Sequence, residues 1–303
     1  MTPPTLSASL MAALVAGLFA SATVGARQVA FRTTVETVVV DVAVRQDGKP
    51  VPGLTASDFR LTDNGVLQTI TDVSHDSLPI DVTFVADISR MRQGERLDSF
   101  RRAIARARDA LRPGDRASLV LFDPRIREVG GLESSTLVIE ADAGLTPDTA
   151  TSLLDAIAVS LVRPSDPARR RMAIVFTNGR DGGSFLDEAG VVDVAARSGV
   201  TVFAVALTDG TARTPQPPAR PALLAALSRA TGGLVTVLQR DQDLTTSFAD
   251  ALDDFRTSYV LQYTPANVPT PGWHALAVQV ERVGRYDVRA RHGYSAGNTL
   301  GRQ

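Results

Sequence analysis

No cysteine occurs among the 303 residues, so no disulfide framework, zinc–thiolate site or thiol nucleophile is available. Lysine appears once, at Lys49, and the other 31 of the 32 basic residues are arginine. Such an imbalance reads as a compositional bias toward arginine before it reads as phosphate recognition. Histidine is present only at His75, His274 and His292. None of the three falls at the end of an apolar strand that alternates with helices, where a general base would be useful. His274 and His292 read as ordinary surface or sheet positions. There is no Gly-x-Gly-x-x-Gly after a strand, no Gly-x-x-x-x-Gly-Lys and no His-Glu-x-x-His. Ser184, in "DGGSFL", lacks the Gly-x-Ser-x-Gly elbow. Asp253-Asp254 falls on a helix pattern and reads as a solvated face. A net charge of −1 favours neither nucleic acid nor an anionic membrane. Together these absences argue against an enzyme.

Apolar residues make up 44% of the chain, enough for a full core. Leu10 to Phe19 is an apolar run of the length a secretory signal uses, and Val24-Gly25-Ala26 offers small residues for cleavage after Ala26. Residues 1–26 are therefore expected to be a signal peptide, and the protein to be exported to the periplasm, cell envelope or medium. No later segment is long and apolar enough to span a membrane.

Three zones follow. Residues 27–76 are β-rich: Val38, Val40, Val42 and Val44 alternate, Asp47-Gly48 turns the chain, and Asn64-Gly65 is a strong hairpin signal. Across that second turn Phe59 and Ile70 are expected to be same-face neighbours. Residues 77–256 alternate "VTFVAD", "ASLVLFD", "MAIVFTN", "VTVFAVAL" and "LVTVLQ" with helical patterns. Nearly continuous apolar strands between helices predict an α/β fold, a doubly wound and mostly parallel sheet covered on both faces. Residues 257–303 return to β. "SYVLQYTPA" reads as a strand, and "WHALAVQVERVGRYDVRARHGYS" as a hairpin turning near Gly284. Two undersized β pieces flanking one α/β domain are expected to pair as a small β-sandwich.

Ligands of an open α/β sheet bind beyond the carboxyl ends of its strands. Asp87, Asp123 and Asn178 each close an apolar run, and Ser89 follows Asp87 by two residues. A carboxylate and a hydroxyl so placed suit a hard cation with oxygen ligands.

With these residues the chain resembles the von Willebrand factor type A domain. It resembles more closely a bacterial exported family built around that domain, described mainly from acidobacteria. "LTASDFRLTDNG", "VFTNGRDGGSF", "SGVTVFAVAL", "LSRATGGL", "SYVLQYTPA" and "VRARHGYSA" carry the likeness in this order. The resemblance implies a Rossmann-like sheet and a metal-ion-dependent adhesion site for Mg²⁺ or Mn²⁺. Its Asp-x-Ser-x-Ser motif falls on Asp87, Ser89 and Met91, so the third ligand is missing. Its helix-preceding threonine falls on Thr151, and its Thr-Asp-Gly turn reads Thr177-Asn178-Gly179, which removes a carboxylate. A thioether does not replace a hydroxyl on a hard cation. Asp87, Ser89, Thr151 and Asn178 are thus expected to form a degenerate site with weak or no Mg²⁺ or Mn²⁺, unless Asp181 or Asp123 reaches in. Arg90 and Arg92 flank the loop and read first as solvent-facing residues at the start of an arginine-rich helix; the alternative is that they receive an anionic partner group directly.

The expected function is binding without catalysis: an exported adhesion-type protein meeting a protein or glycan partner at the carboxyl edge of the sheet. The second reading is a structural or assembly component of the cell envelope whose metal site does nothing.

Overall fold

The computed structural model describes residues 37–75, 78–89, 95–129, 151–164, 166–211, 214–239, 244–269 and 271–296. The expected leader, residues 1–26, lies outside them. The valine alternation near the start is realised in β1 (Val38–Gln46), where Val38, Val40, Val42 and Val44 are all buried. Asp47-Gly48 returns the chain into the two-residue β2 (Lys49–Pro50). β3 (Phe59–Asp63) and β4 (Val66–Gln68) flank Asn64-Gly65, whose φ angles of 47° and 80° suit a tight hairpin turn.

The hairpin stops there. Ile70 is not the partner of Phe59: it begins β5 (Ile70–His75), which pairs with the later strand Tyr259–Tyr263 in a different sheet. Gln68 secures the crossing, its amide donating to the Ala266 carbonyl at 3.0 Å and accepting from the Ala266 N–H at 2.8 Å.

The α/β portion runs β6 (Ile80–Asp87), α1 (Glu95–Asp109), β7 (Arg116–Phe122), β8 (Ile126–Val129), α2 (Leu153–Leu161), β9 (Arg170–Thr177) and α3 (Glu188–Ser198). It continues through β10 (Thr201–Leu207), the small β11 (Asp209–Thr211) and β12 (Thr214–Gln216) ribbon, α4 (Pro221–Thr231), β13 (Val235–Leu238) and α5 (Ser247–Arg256). The central sheet has the order β13-β10-β9-β6-β7-β8 and is parallel except for β8, which runs antiparallel at one edge. All eight residues of β6 are buried. The reason is cover on both faces. On one face, beneath α1 and α5, Phe84, Phe100, Phe176 and Phe248 pack with ring centroids 5.6–6.0 Å apart. On the other, Val85, Val120, Val175 and Val202 meet Ile157, Val191 and Leu227 of α2, α3 and α4.

β14 (Tyr259–Tyr263), β15 (Gly272–Val280), β16 (Asp287–Ala290) and β17 (Gly293–Ala296) complete the chain. The flanking segments do pair. One sheet has the order β16-β1-β14-β5 and the other β17-β15-β3-β4, and their inner faces share a core around Val40, Leu61, Leu261 and Tyr263. The expected terminal hairpin does not form between β15 and β16, which belong to opposite sheets. The alternation of Leu276, Val278 and Val280 was a sound guide to which face is inward, but period two says nothing about the partner strand.

Arginine joins the two halves. Asp254, expected on a solvated helix face, is instead gripped by Arg45 of β1 at 2.7 Å and by Arg289 of β16 at 2.8 Å. Arg170 of β9 pairs with Asp41 of β1 at 2.6 Å, donates to the Phe255 carbonyl at 2.8 Å and lies over the Phe255 ring at 4.1 Å. Arg256 pairs with the buried Asp115 at 2.8 Å. Replacing Asp254 by alanine strands two largely buried guanidinium groups, so we expect a loss of about 2–3 kcal/mol in chemical denaturation. A loss under about 0.5 kcal/mol, the value of an exposed pair, would show the clamp to be ornamental.

Within the sheet, Asp81 is held by Arg116 at 2.6 Å and by Arg169. Burial by itself pushes its carboxyl up, but the two guanidinium groups outweigh that and hold it below the usual carboxylate value. The stability this confers is present at neutral pH and is lost as the pH falls through the lowered value.

Candidate functional site

Three adjacent strands deliver the edge. β6 lies between β9 and β7, with Ala86 opposite Phe176 and Asp87 opposite Phe122. Asp87, Asp123 and Asn178 therefore emerge side by side, each at the carboxyl end of its strand. The Ile88 N–H donates to the Phe122 carbonyl at 2.9 Å and fixes the exit of β6. Asp87 is 7% exposed, and its Oδ1 accepts from the Ser89 N–H at 3.0 Å and from the Ser89 hydroxyl at 2.6 Å. This is the acid–hydroxyl unit read from the sequence, closed on itself in a local turn.

Thr151 is brought in from a distant part of the chain. Its hydroxyl donates to the Arg180 carbonyl at 2.7 Å, and its own carbonyl accepts from the N–H groups of Gly182 and Gly183. Next to it, the Ser152 N–H donates to the Asp123 carbonyl at 2.9 Å. The 151–152 segment thus ties the loop after β7 to the loop after β9. Asn178 turns its Oδ1 back on the Arg180 N–H at 3.0 Å, and its carbonyl accepts from the Ala219 N–H at 2.8 Å.

The two auxiliary acids are otherwise engaged. Asp181 serves the start of α2: its Oδ1 accepts from the Leu153 N–H at 2.9 Å and from the Ser184 hydroxyl. A carboxylate there answers both the unpaired N–H groups and the positive end of the helix dipole. Asp123, 1% exposed, pairs with Arg127 at 2.8 Å and accepts from the Arg125 N–H at 2.8 Å. The edge thus brings together one acid–hydroxyl pair, a threonine hydroxyl and a carboxamide. Among the described residues no three His, Asp or Glu side chains come together as a metal cluster. Arg90, Met91 and Arg92 lie outside the described residues.

Sequence reasoning missed one polar cluster altogether. His274 is not at the surface: it is 2% exposed inside the sandwich, its Nδ1 2.8 Å from Oδ1 of the fully buried Asp63. Tyr263 and Tyr294 each donate to Asp63 Oδ2 at 2.9 Å. Burial pushes the Tyr263 hydroxyl far above the usual phenol value, so it remains a donor. A polar residue at an inward position of an alternating strand, as His274 is in "WHALAVQV", was the available signal.

A mostly parallel sheet wrapped by helices on both faces, with a polar rim at its carboxyl edge, defines a doubly wound α/β domain. Residues 81–218 match the model of the von Willebrand factor type A domain, and the chain contains a domain of that family. No curated protein matches the chain in sequence. Among solved structures it is similar to the conserved hypothetical protein BatB of Bacteroides thetaiotaomicron, at 16% identity and a TM-score of 0.43, over 58% of this chain and 98% of that one. It is also similar to proximal thread matrix protein 1 of the mussel byssus, at 14% identity and a TM-score of 0.46, over 64% of this chain and 50% of that one. A von Willebrand factor type A protein of Catenulispora acidiphila aligns at 12% identity and a TM-score of 0.47, over 88% of this chain and 76% of that one.

Proposed function

We propose that this is an exported binding protein without catalytic activity, meeting a protein or glycan partner at the edge formed by Asp87, Ser89, Thr151 and Asn178. The observation that carries the reading is the closure of that edge. Polar groups from three strands converge there, tied by backbone hydrogen bonds, and among the described residues no base is positioned to activate a hydroxyl. The domain family, which often mediates protein interactions, is consistent with it.

The metal site is degenerate in this reading. A hard dication gains most from carboxylate oxygens, and Mg²⁺ gives up its hydration reluctantly. With Asn178 in place of the aspartate of the Thr-Asp-Gly turn and Asp181 and Asp123 turned to α2 and Arg127, the negative potential is too small for tight binding. Titration calorimetry with MgCl₂ or MnCl₂ should give a dissociation constant weaker than about 1 mM. A micromolar constant that disappears in Asp87→Ala would establish a working cation site instead. Arg90 and Arg92 are the residues proposed to receive an anionic partner group in the absence of metal.

Immobilised wild-type chain, exposed to periplasmic extract or culture supernatant, supplies the binding test. We expect Asp87→Ala to weaken capture of the same partner at least tenfold, about 1.4 kcal/mol. If Asp87→Ala leaves capture intact while substitutions on the sandwich abolish it, the edge is not the interface and the assembly-component reading holds.

A further inference from the structure

We propose that the chain pairs with a second copy of itself, each copy seating Phe185 in the groove between α3 and α4 of the other. Phe185 is 99% exposed, the largest apolar group so displayed among the described residues. Its backbone is nevertheless held firmly. The N–H groups of Phe185 and Leu186 donate to the two carboxylate oxygens of Asp155 at 2.9 and 3.0 Å. The Ser184 hydroxyl accepts from the Leu154 and Asp155 N–H groups at 3.0 and 3.2 Å. Asp187 caps α3 through the Gly190 N–H at 2.7 Å. The backbone that carries the ring has thereby already lost conformational freedom that binding would otherwise remove.

The complementary feature begins three residues further along the chain. A groove of about 660 Å³ runs between α3 and α4, walled by Ala189, Val192, Ala196, Ala222 and Ala226 and closed by Trp273 of β15. Trp273 is 41% exposed, and Phe185 does not fill this groove in its own molecule. Small side chains on both helices leave room for a ring, and the indole offers it an aromatic wall. Projection and recess adjoin one another on a single chain, so a two-fold axis between two copies satisfies both at once.

Charge favours an identical partner over a polyanion or an anionic membrane. The acids at the groove are neutralised within the molecule, Glu188 by Arg220 at 3.0 Å and Asp193 by Arg197 at 2.9 Å. No basic excess remains to attract phosphate, and the net charge of −1 leaves little repulsion between copies.

Sedimentation equilibrium of the purified chain over about 1–200 µM tests the proposal, with a monomer–dimer constant expected near about 10 µM. Phe185→Ser, which removes the projection, and Ala226→Arg, which fills the recess from an accessible helix face, should each weaken self-association at least tenfold. An equimolar mixture of the two variants restores one intact contact and should associate more tightly than either alone. A wild-type chain that stays monomeric throughout overturns the proposal. So does self-association that survives either substitution, or a mixture no tighter than its components.

Discussion

Asp63→Ala should be the most destabilising single substitution in the sandwich, lowering the unfolding free energy by about 3–5 kcal/mol. Asp63 is fully buried and accepts from Tyr263, Tyr294 and His274 at once. Removing the carboxyl takes a shared acceptor from two tyrosine hydroxyls and the His274 ring, and each buried group left unsatisfied costs about 1–3 kcal/mol before relaxation. Urea denaturation followed by circular dichroism should show the midpoint falling by about 1–2 M with an unchanged slope. The effect is asymmetric. His274→Leu takes one donor from an acid that keeps two others, and it also removes a ring nitrogen, Nε2, buried without a partner. It should cost well under half as much. If the two substitutions are equal, the cluster is held by packing and not by its hydrogen bonds.

Gly179→Ala should be nearly as damaging, at about 3 kcal/mol or more, for a reason of shape alone. Gly179 sits at φ 79°, where side chains are disfavoured, and an added Cβ would lie 1.7 Å from the Ala219 carbonyl oxygen. The loop after β9 must then part from the segment leading into α4, breaking the bond from the Ala219 N–H to the Asn178 carbonyl. Gly48 and Gly65 provide the control. Both have positive φ, at 76° and 80°, but open space around the position of a Cβ. Alanine there should cost only about 1 kcal/mol, the strain of the backbone conformation by itself. Comparable melting-temperature shifts for all three would mean that the close approach at Gly179 relaxes freely. Because Gly179 follows Asn178 directly, the same variant should also weaken partner capture at the edge.

Much of the architecture was legible because it follows from local physics. The apolar runs ending at Asp87, Phe122 and Thr177 are strands because a sheet covered on both faces needs unbroken hydrophobicity. Asp187 before α3 and Gly199 after it, at φ 68°, are the ordinary start and stop of a helix. The acids and amide that close those strands stand at the carboxyl edge because each is at, or directly after, the last residue of its run. Legibility failed where the deciding partner was remote in sequence. Asp181 serves a helix that begins 28 residues earlier. Asp254 on α5 answers Arg45, 209 residues away, so it could not be told from a solvated acid. Asp63 stands directly before Asn64-Gly65 and has the look of a turn residue, yet it is the buried centre of a polar cluster.

The amino-acid order by itself determined which segments become strands and helices, which faces turn inward and where a polar edge lies, because periodicity, capping and turn chemistry act over a few residues. Only the tertiary structure decided that β15 and β16 part into opposite sheets, that the arginines clamp the halves together, and that Thr151 and Asp181 bind the edge loops. Those outcomes depend on which distant surfaces meet, and strand pairing and buried charge are settled by the partner available in space, not by the neighbour in the chain.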